Sequence, residues 1–186
     1  MPGRNPREAW RGFIEPMARS VGCIDQTVRL KSSFFSADGS TMLAAPEAGC
    51  RCYVTSGSNL LTLRRPQQSD NFTLFLALTL SPYYDEQLGV WRVTTLRYDY
   101  EMSQAGRLRF GWHWHPYSRK STVKWPHMHL PEGTPFANKH LPSGRIALEE
   151  ILLFALDQLK VEPAHANAEQ VLTDVMQRHK LHRAWH

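Results

Sequence analysis

The chain has 186 residues, 42% apolar and 21% charged, which suits one ordinary core and excludes collagen, coiled coil and a disordered polymer. Its longest apolar runs, Leu74 to Leu78 and Ile151 to Leu156, fall far short of the roughly 20 residues that cross a bilayer. Lys and Arg outnumber Asp and Glu by 22 to 17, a formal charge of +5, so an anionic partner fits, nucleic acid being the commonest.

The first residues (MPGRNPREAWRGF) are charged and hold no apolar signal segment. A helix over 1–22 is expected there. Asn5 can cap it, Pro6 suits its first position, and Glu8 stands three residues after the cap to complete a capping box. Trp10, Phe13, Ile14 and Met17 then form one apolar stripe, and Pro16 predicts a kink or a stop. Three cysteines (Cys23, Cys50 and Cys52) cannot all pair with one another, which reads as a cytoplasmic chain with reduced thiols.

Residues 25–130 read as sheet. Val28, Leu30 and Phe34 alternate with Arg29, Lys31 and Ser33, and Asp38-Gly39 turns the chain into Thr41 to Leu43. Cys50 to Val54 and Leu60 to Leu63 are short strands. Phe72 to Leu80 alternates strictly, with Pro82 as its expected end. Residues 145–186 read as two helices. The first, from Ile146 to Lys160, is mostly apolar. The second opens at Asn167 with Gln170 and ends in a basic tail. The expected fold class is α+β, a single domain with an antiparallel sheet between terminal helices.

The chemistry concentrates between His113 and His140, which hold five of the nine histidines. His113-x-His115 and His127-x-His129 each put both rings on one side of a strand, because side chains alternate. Charge complementarity suggests a register for the hairpin leading into the first pair. Placing Glu101 opposite Arg107 sets Asp99 against Arg109 and Thr95 against His113, with Tyr98, Tyr100, Phe110 and Trp112 on the other face. The polar face would then carry Arg97, Asp99, Glu101, Arg107, Arg109, His113 and His115.

Such a face suits phosphoryl chemistry. Cleaving RNA through its 2′-hydroxyl takes a base, an acid and cations for the charge that builds on phosphorus. The leading expectation is a metal-independent endoribonuclease with no cofactor. His113 or His115 on one strand and His127 or His129 on the next are its catalytic pair. Arg97, Arg107, Arg109, Lys124 and Trp125 are its substrate contacts, with Arg119 as a further phosphate clamp. The competing chemistry is zinc or another divalent metal held by His113, His115, His127, His129 and His140, with Asp99 or Glu132 as further ligands, in a metal-dependent hydrolase. A non-catalytic module binding RNA or protein is the third reading. Histidines that merely satisfy hydrogen bonds at a sheet edge are the plainest.

The order "LRYDYE", a hairpin, a strand ending in histidine, "PHMH" and "LPSGRIALEEILLFALDQL" resembles the small TumE-like toxin components of toxin–antitoxin systems. The resemblance runs from Val90 to Lys160 and matches Arg97 to Glu101, His127, His129 and the helix from Ile146. The N-terminal region and the His113-x-His115 pair have no counterpart in that pattern. The resemblance implies a growth-arresting or defence toxin in a bacterial cytoplasm, held by an antitoxin protein.

Overall fold

Strict alternation from Phe72 onward gives the longest strands one dry side and one wet side. A computed structural model describes residues 2–58, 60–118, 121–137 and 139–182, so Arg119 and the end of the basic tail lie outside the described residues. Among these, nine strands form one antiparallel sheet and three helices flank it in sequence, the expected α+β arrangement.

The helix α1 (Pro6–Gly22) starts where Asn5 accepts the Glu8 N–H at 2.9 Å, while Glu8 accepts the Arg4 N–H in return. It continues past Pro16 to Gly22, contrary to the expected stop. Trp10, Pro16, Met17 and Val21 are all buried against the sheet, and that burial on both sides of the proline outweighs one missing hydrogen bond.

Strands β1 (Lys31–Phe35), β2 (Met42–Leu43), β3 (Arg51–Thr55), β4 (Leu61–Leu63), β5 (Phe72–Asp85), β6 (Val90–Gln104), β7 (Arg107–Trp114), β8 (His127–His129) and β9 (Leu141–Pro142) stand in the order β2-β1-β3-β5-β6-β7-β8-β9, with β4 also pairing β5. β3 and β4 follow one another along the same flank of β5, Thr55 against Ala77 and Leu61 against Leu74. β5 does not end at Pro82, which pairs with Val93. Pro82 O accepts the Gly49 N–H at 2.8 Å, so its missing donor points to the flank where β3 has already ended.

The dry face is built from Leu74, Leu76, Leu78 and Leu80 of β5, Tyr98, Tyr100 and Met102 of β6, and Trp112 and Trp114 of β7, all buried. Onto it pack α1 and α2 (Leu148–Asp157), the latter through Ile151, Leu152 and Ala155, with Leu172 of α3 (Ala168–His182) joining the same core. The three helices lock together through a buried polar contact. Glu149 of α2 accepts the Ser20 hydroxyl of α1 at 3.0 Å and faces His179 Nδ1 of α3 at 3.2 Å. His179 is therefore an interior residue, not part of a solvated basic helix end. No helix among the described residues is long and apolar enough to cross a membrane.

Candidate metal centre

The hairpin between β6 and β7 closes through a two-residue turn. Ala105 and Gly106 both take positive φ, 51° and 72°, and Gln104 pairs with Arg107. The register is therefore not the one charge complementarity suggests. Asp99 faces His113, Glu101 faces Gly111 and Tyr98 faces Trp114. A bulge between Met102 and Ser103 leaves Arg109 without a direct partner across the ladder.

This register stacks three polar rows on the face of the sheet away from the helices. In the first, Tyr53, Thr79 and Arg97 are direct neighbours, and His115 follows β7 beside them. In the second, Thr55, Ala77, Asp99, His113 and His127 line up from β3 to β8. In the third, Phe75, Glu101, Gly111 and His129 do so from β5 to β8. Pairing of β9 with β8, Met128 against Leu141, then brings His140 beside β8, its ring centroid 4.7 Å from those of both His127 and His129. All five histidines of the segment thus share one cluster.

Within it, ligand atoms of His113, His127 and His129 lie within 4.8 Å of one another, and so do those of Asp99, His113 and His115. A tetrahedral zinc shell with bonds of about 2.1 Å has edges of about 3.4 Å, so modest ring rotations close the first trio on one ion. Each ring is prepared differently. His127 is buried and its Nδ1 donates to the Trp125 carbonyl at 3.0 Å, because a carbonyl only accepts; Nε2 then carries the lone pair. His113 Nε2 is buried without a hydrogen bond, 3.4 Å from Glu101 Oε1. His115 Nε2 lies 2.9 Å from Asp99 Oδ1, and Arg97 Nε donates to Asp99 Oδ2 at 2.8 Å.

The electrostatics favour the neutral imidazole at His127 and His129. Burial, then the neighbouring His113, His140 and His127, pushes His129 down to about 4. Burial also lowers His127, the Trp125 hydrogen bond opposing it and nearby histidines adding to it. Burial works to raise the Asp99 carboxyl, but His115 and Arg97 outweigh it and hold it below its ordinary value. Glu101 is likewise held low, chiefly by His113. Gly111 leaves room for this crowding: a Cβ there would sit 3.3 Å from His113 Nε2 and 3.6 Å from His129 Cβ.

The cations expected around the histidines do not gather there. Arg97 reaches the site but is paired with Asp99. Arg107 lies across from Gln104 at the turn, on the side of β6 that carries Tyr98, Tyr100 and Met102, because the bulge reverses its facing. Arg109 stands at that bulge with its Nε buried and without a partner. Lys124 donates to the Ser118 carbonyl, and Trp125 is exposed, contributing its carbonyl to His127. Glu132 is exposed and joins neither ligand group. Cys50 and Cys52 are free and buried at β3, their sulfurs 3.3 Å apart, and belong to the core.

Gly111 and the Asp99–His115 and Glu101–His113 contacts shape the cluster in a way that charge complementarity hides; the Ala-Gly turn length is the signal that exposes them. Comparisons with protein families, curated proteins and solved structures find no match to this chain.

Proposed function

We propose that the protein is a metal-dependent hydrolase whose divalent ion, zinc or a similar imidazole-loving metal, is held by His113, His127 and His129. The observation that carries this is the approach of three ligand atoms to within 4.8 Å of one another, in rings that are buried or half-buried. Three histidines leave a coordination position open, the pattern of catalytic rather than structural zinc. His140 stands exposed beside two of them, outside the ligand trio.

An ion held by these three histidines would supply Lewis acidity. The chain supplies the rest. The Trp125 carbonyl fixes the His127 tautomer. Asp99 holds His115 by its Nε2–H, leaving Nδ1 with the lone pair to take a proton from the nucleophile. Glu101 supports His113 from behind.

The metal-independent ribonuclease draws on fewer residues, since Arg107, Arg109 and Lys124 stand apart from the rings. The Asp99–His115 pair is what favours it, because an oriented histidine serves acid–base catalysis without an ion. A TumE-like toxin setting, with an antitoxin partner and a reducing cytoplasm for the three free thiols, suits either chemistry.

Elemental analysis of the purified chain decides between them. One equivalent of metal, lost in both His127→Ala and His129→Ala, together with phosphodiester hydrolysis that EDTA abolishes, is the expected result. A metal-free protein that cleaves RNA in EDTA would return the chemistry to the Asp99–His115 pair.

A further inference from the structure

Beside the histidine cluster, the open face of the sheet holds a hollow of ≈ 270 Å³ lined by Arg51, Tyr53, Thr79, Arg97, His115 and Tyr117. Its floor is the first polar row, Tyr53–Thr79–Arg97, which spans β3, β5 and β6 and leads to His115. Two strand spacings of ~4.8 Å make that row about 10 Å long, and a third carries it to the line of β7 at about 14 Å. His115 belongs both to this hollow and, through Asp99, to the candidate ion site.

The lining is unusual for a sheet face turned to water. Tyr53 is 37% exposed and Tyr117 72% exposed, one at each end of the hollow. Tyr53 is braced edge-on by Phe35, ring centroids 5.5 Å apart. Arg51 makes no ion pair with a described residue, and Lys31 stands on the same face one strand further out. Cations tracking a backbone, with aromatic planes beside them, are the recognition chemistry of single-stranded nucleic acid, whose bases stack on rings while Arg meets phosphate. An acidic peptide would use the cations and leave the two tyrosines without a task.

We infer that this hollow is the substrate groove, and that its ligand is a single-stranded nucleic acid laid across β3, β5 and β6 toward His115. The inference deepens the metal-hydrolase reading and takes its catalytic meaning from it. Strand binding itself stands on Arg51, Tyr53, Arg97 and Tyr117 and needs no ion.

The test is fluorescence anisotropy of the full chain with a short labelled oligouridylate or oligothymidylate in EDTA, over a range of salt. Tight, salt-sensitive binding of either strand is expected, the tighter one naming the natural ligand. Tyr53→Ala and Tyr117→Ala should each weaken it about tenfold or more, the scale of one lost base stack. Arg51→Ala should flatten the logarithmic salt dependence by about 0.7, one phosphate contact. Arg11→Ala, on the exposed side of α1, should bind as wild type does.

Equal binding by all variants, no binding at low salt, or polyglutamate bound as tightly as the strands would overturn the groove. Failure here with stoichiometric metal in the protein removes the substrate and spares the ion site. Strand binding by a protein that takes up no metal does the reverse.

Discussion

Gly111 offers the narrowest test of the ion site. Its φ lies outside the left-handed region, so alanine fits the backbone, and in a strand Gly→Ala tends to stabilise by about 0.4–1 kcal/mol through the unfolded chain. The side chain is another matter. A Cβ at this position would meet His113 Nε2 at 3.3 Å and Cε1 at 3.6 Å, so the ring must give by a few tenths of an ångström. Metal–ligand bonds tolerate about 0.2 Å. Displacing one ligand of three by more than that should cost what losing the hydrogen-bond partner behind a metal ligand costs, about 10–100-fold in affinity, or about 1.4–2.7 kcal/mol. Competition with a chromophoric zinc chelator measures the affinity, and a thermal melt of the metal-free protein measures the fold. The expected Gly111→Ala protein melts at or above the wild-type temperature and holds zinc ten to a hundred times more weakly. Unchanged affinity would show that His113 is no ligand.

Asp99→Asn separates the two ligand groups: metal stoichiometry stays at one equivalent while turnover falls about 10²–10⁴-fold, as for loss of an acid–base partner. Loss of the metal instead would move the ion to Asp99, His113 and His115. Glu149→Gln leaves His179 and Ser20 facing a neutral amide in the interior and should cost about 3–5 kcal/mol in urea unfolding at neutral pH. Burial raises the Glu149 carboxyl, but His179 outweighs it and the folded-state value lies below the ordinary one. The stability it contributes is complete above the usual carboxylate range and fades as pH falls through the lowered value, so wild type should lose more stability than Glu149→Gln between pH 7 and that value. Leu152→Ala, at a fully buried site of α2, should destabilise by about 2–5 kcal/mol and leave zinc affinity unchanged.

Local patterns in the sequence reveal the elements better than the pairings. The alternation in β5, the Asn5 cap and the paired histidines are local signals and are visible residue by residue. The β6–β7 register is not. The expected and observed pairings differ by four residues over most of the hairpin, and an even shift leaves every side chain on the same face, so hydrophobic patterning does not distinguish them. Charge complementarity favoured a long loop. The chain instead turns through Ala105, at a positive φ that alanine rarely adopts, and absorbs the difference in a bulge beside Arg109. That one turn moves Asp99 and Glu101 from the arginines to the histidines. Arg51 and Tyr53 were invisible as site residues for another reason: β3 reaches β6 only across β5, a neighbour relation that no local pattern encodes.

The same alternation that hides the register separates stability from chemistry. β6 buries Tyr98, Tyr100 and Met102 under the helices and turns Arg97, Asp99 and Glu101 to the open face. β7 does the same with Trp112 and Trp114 against His113. The hydrophobic half of each strand therefore holds the backbone rigid whatever stands on the other half, and rigidity is what a site built from crowded side chains requires. Substitutions at even-numbered positions of β6 from Tyr98 to Met102 should act on stability. Those at odd-numbered positions from Arg97 to Glu101 should act on strand binding, ion binding or turnover with little change in melting temperature. An open-face substitution that unfolded the protein would mean that the polar rows are part of its structural support, and the site could not be read as chemistry laid on a finished scaffold.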